Sequence, residues 1–527
     1  MHERSLLCQE VWTPISFLER SAEVFGDRLA VVSGERRLTY AELWDRVHRQ
    51  AGLWHALGVR VGDRVAVLSP NTHVLLESHT GVPLAGAVLV ALNTRLKAGE
   101  IAEILHHSGA RALLVDHTLP GVAEEAVARG ANDSVVLVAG EDGEPAGYEA
   151  GLAAAIHRRI PVADERTLLS INYTSGTTGT PKGVMYHHRG AYLQALAMAY
   201  HARLGDSSRY LWTLPMFHTN GWCFPWAVTA AGAIHHCLRR VDPPEIWRAI
   251  MQDGVTHLAA APVVLASLES CSGRPESAPR TVRAFTGGAA PSPTLLERSA
   301  AMGIEVTHLY GLTETFGPAA ICQWRTEWDE LPLELRTALK SRQGVANVIS
   351  QPLRVVDEHG QDVARDGESM GEIAIRGNNV MLGYFRDEAA TEQAAPDGWF
   401  RTGDVGVMHP DGYVEIRDRA KDIIISGGEN VASLEVESVI ARHPDVAEVG
   451  VVGMPDDVWG EVPVAYVALR EGRSSTERDI IDFVRSRLAH FKAPRRVVFG
   501  PLPRTSTGKL RKDVLRGAAA DRASPGL

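Results

Sequence analysis

Between Tyr173 and Val184 the chain reads Tyr-Thr-Ser-Gly-Thr-Thr-Gly-Thr-Pro-Lys-Gly-Val, so three glycines, five threonine or serine hydroxyls and one lysine share twelve positions. An apolar run, Leu168 to Ile171, precedes this stretch, and a helix-compatible run begins near His188. Glycines let a backbone approach a ligand and turn its N–H groups inward. Thr174, Ser175, Thr177, Thr178 and Thr180 add hydroxyl donors around Gly176 and Gly179, and Lys182 adds a mobile positive charge. That chemistry suits a polyphosphate. A flexible Gly/Ser/Thr linker has similar composition, but the Pro-Lys-Gly ending and the strand before it speak for a built loop. The Gly-x4-Gly-Lys-Ser/Thr spacing of a Walker loop is absent.

A chain of 527 residues exceeds one ordinary domain, so two or more are expected. The net charge of −10 argues against general nucleic-acid binding and means that an anionic ligand must be gathered by a local basic site. Cys8, Cys223, Cys237, Cys271 and Cys322 are scattered and contain no C-x-x-C pair. They read as small buried residues of a reducing compartment, not as a disulfide frame or zinc site. The segment Met1 to Glu10 carries charges too early for a signal peptide, no apolar stretch approaches membrane-spanning length, and Ser524-Pro525-Gly526-Leu527 is no peroxisomal tripeptide. A cytoplasmic protein is the expectation.

The first part alternates strand-like runs (Leu29 to Ser33, Val65 to Leu68, Ala87 to Leu92, Ala112 to Val115) with helical ones. Thr39 and Glu42 occupy capping-box positions ahead of a helix. Such alternation indicates α/β with a largely parallel sheet. From Gly121 to Ile160 the Ala-, Gly- and acid-rich sequence has weak periodicity and reads as peripheral structure. A strand then runs into Pro215-Met216-Phe217-His218-Thr219-Asn220-Gly221-Trp222, where His218 is either structural or catalytic and Trp222, Phe224 and Trp226 are either core or a pocket mouth. Adjacent histidines such as His235-His236 diverge on a strand or helix and make poor metal ligands.

The strand Arg283 to Thr286 ends in Gly287-Gly288-Ala289-Ala290, small residues against which a flat ring can lie. Val306 to Tyr310 is strand-like and leads to Gly311-Leu312-Thr313-Glu314-Thr315; a carboxylate between threonines suits a hydrated magnesium on phosphates, or simply opens a helix. Asp404, after Gly403, can offer a carboxylate to a pair of vicinal hydroxyls. The charge-dense run to Asp422 marks a boundary, and beyond it lies a second α/β pattern of about a hundred residues. Its tail holds Pro503-Arg504-Thr505-Ser506-Thr507-Gly508-Lys509.

Six stretches in this order, Tyr173–Val184, Pro215–His218, Tyr310–Thr315, Gly398–Asp404, Asp418–Asn430 and Pro503–Lys509, resemble the adenylate-forming superfamily of acyl-CoA synthetases, luciferases and peptide-synthetase adenylation domains. Pro215–Trp222 with Leu339–Gly344 looks most like medium-chain fatty-acyl-CoA synthetases and plant-type acyl-activating enzymes. The resemblance implies an α/β fold: a large N-terminal domain, 1–417, of two layered α/β subdomains plus a distorted β-barrel, a hinge at 418–422 with Lys421, and a small mobile α+β domain, 423–527. It implies an ATP-dependent carboxylic acid:CoA ligase that uses Mg²⁺, acts through an acyl-adenylate, and takes a medium-chain, branched, cyclic or aromatic acid. An amine or a carrier-protein thiol is the alternative acceptor. By the same resemblance the 174–182 loop and Lys182 wrap the β- and γ-phosphates, Tyr310 and Gly288, Ala289 and Ala290 line adenine beside Gly311, and Thr313 meets the α-phosphate. Glu314 and Thr174 hold the metal, while Asp404 and Arg419, near Ile416, grip the ribose. Lys509 bridges carboxylate and α-phosphate; His218, Asn220, Gly221, Trp222, Gly287 and Gly288 border the acyl group; Gly427, Gly428 and Glu429 border the thiol tunnel. A homodimer is a further expectation from such enzymes.

Overall fold

Apolar strands that alternate with half-apolar helices bury both faces of a sheet, and the chain does this twice. The computed structural model describes residues 10–129, 135–140, 147–174, 181–288, 290–426, 429–456, 458–504 and 510–523. Two units emerge, the first made of Met1–Ser341, Val345–Pro352 and Ile375–Phe400, the second of Arg342–Gly344, Leu353–Ala374 and Arg401–Leu527. The second unit thus begins ahead of the expected hinge at 418–422.

In the first unit a seven-stranded sheet runs Gly383–Tyr384, Lys182–His187, Leu168–Thr174, Val88–Ala91, Arg64–Leu68, Ala110–Asp116, Val135–Ala139. The five strands from Leu168–Thr174 onward pair in parallel, and the first two pair antiparallel. A nine-stranded sheet runs Val345–Ala346, Gly317–Ile321, Ile304–Leu312, Val282–Thr286, His257–Ala259, Arg209–Trp212, Ile234–Cys237, Leu29–Ser33, Arg36–Thr39. The expected capping box is present: Thr39 accepts from the Glu42 N–H and Glu42 accepts from the Thr39 N–H, opening helix Tyr40–Ala56. No helix among the described residues is long and apolar enough to cross a membrane.

The second unit carries a four-stranded sheet, Arg354–Val356, Met370–Ile375, Phe400–Met408, Val414–Arg419. Its other sheet runs Glu429–Val431, Ile424–Ser426, Gly460–Leu469, Val446–Asp456, with Arg496–Phe499 also on Gly460–Leu469. Helices Ser433–Ile440 and Glu477–Arg485 cover it with Val436, Val439, Ile440, Ile480 and Val484.

Gly121–Ile160 corrects the expectation of peripheral structure. Val135–Ala139 is the edge strand of the seven-stranded sheet, and helix Gly147–Ala154 sends Tyr148 into the core. Alanine and glycine flatten the hydrophobic contrast that would have betrayed the helix, whereas Val135–Ala139 is a plain apolar run. Tyr148 donates to Glu77, which is 1 % exposed and also takes two bonds from the Arg46 guanidinium at 2.7 and 2.9 Å. Arg46 reaches Glu149 as well, at 2.8 Å, and Gln50 donates to the Tyr148 hydroxyl. A buried carboxylate of this kind is tolerable only because a guanidinium matches it with paired donors. Glu77→Ala is therefore expected to lower the unfolding free energy of the first unit by about 2–3 kcal/mol, because Tyr148 loses its acceptor and Arg46 keeps only Glu149 as its carboxylate partner. Tyr148→Phe should cost about 1–2 kcal/mol. Calorimetry that finds wild-type transitions in both variants would contradict this role for the cluster.

Candidate active site

The glycine-rich stretch sits between two antiparallel strands, Leu168–Thr174 and Lys182–His187, whose register closes with Thr174 opposite Lys182. It is thus a hairpin loop, and the helix expected from His188 begins only after the returning strand, as His188–Ala202. Ser175, Gly176, Thr177, Thr178, Gly179 and Thr180 lie outside the described residues, as do Ala289, Gly427, Gly428 and Lys509.

The base of the loop is clamped. Gly183 has no room for a side chain, because a Cβ there would lie 3.0 Å from Ile171, 3.2 Å from the Tyr173 ring and 3.3 Å from Phe385. Tyr173 bonds His107 through its hydroxyl at 2.8 Å, and the Phe385 N–H donates to the Gly183 carbonyl at 2.7 Å. Lys182 places its ammonium 4.8 Å from the centre of the Tyr384 ring. The Tyr384 hydroxyl donates to Glu314 Oε1 at 2.9 Å. Burial, reinforced by the neighbouring Glu314 carboxylate, pushes the Tyr384 phenol well above its ordinary pKa, so it remains a donor.

Glu314 belongs to a single 3-10 turn, Thr313–Thr315, that follows strand Ile304–Leu312. Every carbonyl of that turn has a partner. Tyr186 donates to Thr313 O at 2.6 Å, the Met381 N–H to Glu314 O at 2.8 Å and Asn379 to Thr315 O at 3.2 Å. The Thr315 hydroxyl accepts from the Leu312 N–H and donates to Gly317 O. Tyr186 is itself stacked on Phe316, ring centres 3.8 Å apart. Gly311 lets the strands touch: a Cβ there would lie 2.0 Å from Gly317 O. The backbone is thereby fixed and the Thr313 and Glu314 side chains are left for chemistry. Glu314 offers a hard oxygen donor of the sort Mg²⁺ takes in ones or twos while filling its shell with phosphates and water, so the residues fit that ion. Tyr310 is buried on the same strand, opposite Ala320.

The stretch after His218 adopts a conformation that local sequence does not announce. Thr219, Asn220, Gly221, Trp222 and Cys223 have φ of 45, 37, 53, 50 and 63°, a left-handed turn closed by bonds from Gly221 N–H to His218 O and from Cys223 N–H to Asn220 O. Thr219, Trp222 and Cys223 each cost roughly 1–2 kcal/mol there, and Asn220, which tolerates the left-handed region, costs less. The flanking loop is strapped to hold it: Asn71 donates to the Trp212 and Leu214 carbonyls and accepts from the Met216 N–H, while Asn172 donates to Phe217 O. Ser170 donates to the Asn220 side chain at 3.0 Å. The turn lays the Trp222 indole against Gly287 and Gly317, whose absent Cβ atoms would stand 3.2 and 3.4 Å from it. His218 is exposed, whereas Phe224 and Trp226 are core residues. Gly288, with φ of 81°, and Ala290 are exposed.

In the second unit Asp404 and Arg419 stand opposite one another on paired strands, with Arg419 Nε 2.6 Å from Asp404 Oδ1. The Ile416 N–H donates to Gln343. Asp418 accepts from the N–H and hydroxyl of Ser433, and Arg516 bonds both Asp422 and the Lys421 carbonyl. Burial, with the Arg419 and Arg516 charges, lowers the Lys421 pKa. Glu429 is exposed on strand Glu429–Val431. Sequence reasoning missed Tyr384, Tyr186 and the asparagine straps; each acts across a gap in the chain that no local pattern signals.

Residues 18–385 match the model for the AMP-binding enzyme family, and residues 435–509 match that for the AMP-binding enzyme C-terminal domain. An acetate–CoA ligase, CCL3, from Humulus lupulus is 43% identical over 97% of this chain and 95% of its own. A 4-hydroxybutyrate–CoA ligase from Metallosphaera sedula is 42% identical over 98% and 96%. The crystal structure of ATP-bound MatB from Rhodopseudomonas palustris superposes with a TM-score of 0.85 and 28% identity, covering 97% of this chain and 100% of that one.

The turn that carries Glu314 is open to test by stability alone. Thr315→Val keeps the shape but strands the Leu312 N–H and Gly317 C=O, and should cost about 2 kcal/mol of unfolding free energy. Thr315→Ser should cost less than about 1 kcal/mol. Equal denaturation midpoints for Val and Ser variants would show that the hydroxyl does not fix the turn.

Proposed function

Because the chain belongs to the family of AMP-binding enzymes, we propose that it is an ATP-dependent carboxylic acid:CoA ligase acting through an acyl-adenylate. A carboxylate oxygen attacks the α-phosphorus, the bond from that phosphorus to its bridging oxygen breaks, and pyrophosphate leaves. The CoA sulfur then attacks the acyl carbon, AMP departs with the carboxylate oxygen, and the thiol proton passes to solvent. What supports the reading most is that Lys182, at the foot of the hydroxyl-rich loop, and Glu314, on the fixed turn, meet on the two sides of one tyrosine.

Both reactants are anions, so the first step needs charge neutralised as it develops. Lys182 and the 174–182 loop would take the β- and γ-phosphates and Thr313 the α-phosphate. Glu314, with Thr174, would hold Mg²⁺, which when bound supplies neutralisation of phosphate charge. Tyr310, Gly288, Ala289, Gly311 and Ala290 would line adenine, and Asp404, partnered by Arg419 near Ile416, the ribose. Lys509 would bridge the attacking carboxylate and the α-phosphate; Gly427, Gly428 and Glu429 would guide the thiol. A division at 418–422 with Lys421 as hinge, a homodimeric assembly and a cytoplasmic site of action belong to the same reading. The acid would be short: the indole of Trp222, pressed on Gly287 and Gly317, leaves that wall of the acyl site filled, and the relatives' names give acetate and 4-hydroxybutyrate. A medium-chain acid is the less favoured choice on these grounds.

Pyrophosphate release over straight, branched and aromatic acids, with products weighed by mass spectrometry, tests this reading. Acid-dependent release highest for acids of up to about five carbons is expected, since each further methylene must find space in a tightly packed wall, with thioester and AMP accumulating when CoA is added. Release without acid, or an amide in place of a thioester, would overturn it. Lys509→Ala should lose adenylation by at least about a hundredfold while sparing thiolysis of supplied acyl-adenylate; equal loss in both half-reactions would remove Lys509 from its assigned role.

A further inference from the structure

The Tyr384 side chain has no part in the roles assigned above, yet it touches both Lys182 and Glu314 at the foot of the hairpin loop. Its ring carries the Lys182 ammonium on one face, 4.8 Å from the centre, and its hydroxyl donates to Glu314 Oε1 at 2.9 Å. No ion pair joins Lys182 to Glu314 among the described residues. Left in a partly buried pocket without an intervening group, a flexible lysine and a carboxylate close into a salt bridge that cancels both charges. A tyrosine prevents this while satisfying each: its negative face attracts the cation, and its polarised O–H bonds the anion.

The ring cannot drift. Gly383–Tyr384 is a strand paired with Lys182–His187, with Tyr384 opposite Val184, two residues beyond Lys182 and therefore on the lysine's face of the sheet. The Tyr384 N–H donates to the Thr391 hydroxyl at 2.9 Å, and Thr391 donates in turn to Asp387 O at 2.8 Å. Gly383, at φ of 142°, gives the strand its approach: a Cβ there would meet Thr391 at 2.6 Å. Met381, three residues earlier, fixes the Glu314 carbonyl. One short segment therefore aligns the backbone and the carboxylate of Glu314 together with the ammonium of Lys182.

We propose that Tyr384 is a positioning residue for the polyphosphate end of the site, keeping Lys182 and Glu314 separate and oriented until ATP and its divalent cation arrive. This rests on the ATP-dependent reading above. Its hydroxyl occupies Glu314 Oε1 and so orients the other oxygen of the carboxylate for the cation. Its ring gives Lys182 a perch from which the ammonium transfers to a phosphate. The two halves of this role separate by substitution: Tyr384→Phe keeps the ring and loses the hydroxyl, whereas Tyr384→Leu loses both.

Equilibrium titration of the full-length chain with ATP, without acid, in EDTA and again in excess Mg²⁺, decides the matter without turnover. Wild type should bind ATP in both conditions and more tightly with Mg²⁺. Tyr384→Phe should keep its EDTA affinity within about twofold and lose about tenfold of the Mg²⁺-dependent gain, the scale of a bond to a charged group. Tyr384→Leu should also lose about fivefold in EDTA, because Lys182 then pairs with Glu314 and that pair, worth up to about 1 kcal/mol, must break before the ammonium meets a phosphate. A wild-type gain in Tyr384→Phe, or equal losses by both variants in both conditions, overturns the proposal while leaving the ligase reading intact. A wild-type chain that binds no ATP overturns that reading and the proposal with it.

Discussion

A carboxylate is useful beside polyphosphate only if the backbone under it cannot move, and the turn Thr313–Thr315 meets that constraint with a partner for each of its carbonyls. Those partners come from two places in the chain: Tyr186 on the returning strand of the hairpin, and Met381 and Asn379 on the segment that leads to Tyr384, while the turn's own Thr315 hydroxyl ties it to Leu312 and Gly317. The glycine at 311 allows the two strands to touch and the glycine at 287 admits the indole of Trp222. Lys182, the turn and Trp222 thus belong to one packed arrangement in the first unit. A chain with a net charge of −10 has no general attraction for phosphates; local order must supply it.

Sequence showed the pieces whose physics is local. The capping box at Thr39 and Glu42 carries its own hydrogen-bond logic in four residues, and the strands at Leu29–Ser33 and Arg64–Leu68 are short apolar runs bounded by turn residues. The hydroxyl- and glycine-rich stretch was legible in composition, but its setting between two paired strands was not. Lys182–His187 mixes lysine, glycine and histidine, and only its pairing with Leu168–Thr174 and Gly383–Tyr384 makes it a strand.

The left-handed turn at Thr219–Cys223 illustrates a different limit. Four of its five residues are not glycine, and the preferences of Thr219, Trp222 and Cys223 oppose the conformation. Bonds from Asn71 and Asn172, roughly 50 to 145 residues away in sequence, secure the loop that leads into it, so tertiary contacts override local propensity there. Strain concentrated in this turn is in keeping with holding Trp222 in one orientation. Tyr384 escaped notice for the same reason: nothing around Gly383 in sequence names Glu314, 70 residues earlier, as its partner.

The central claim is that the acid attacks the α-phosphorus and that the pieces described here serve that one displacement. Isotope transfer tests it most directly. An acid substrate carrying oxygen-18 in both carboxyl positions should deliver one labelled oxygen to the phosphate of AMP, and the pyrophosphate should carry none, as mass spectrometry of both products would read. Label in inorganic phosphate or ADP, or AMP free of label, would contradict the account.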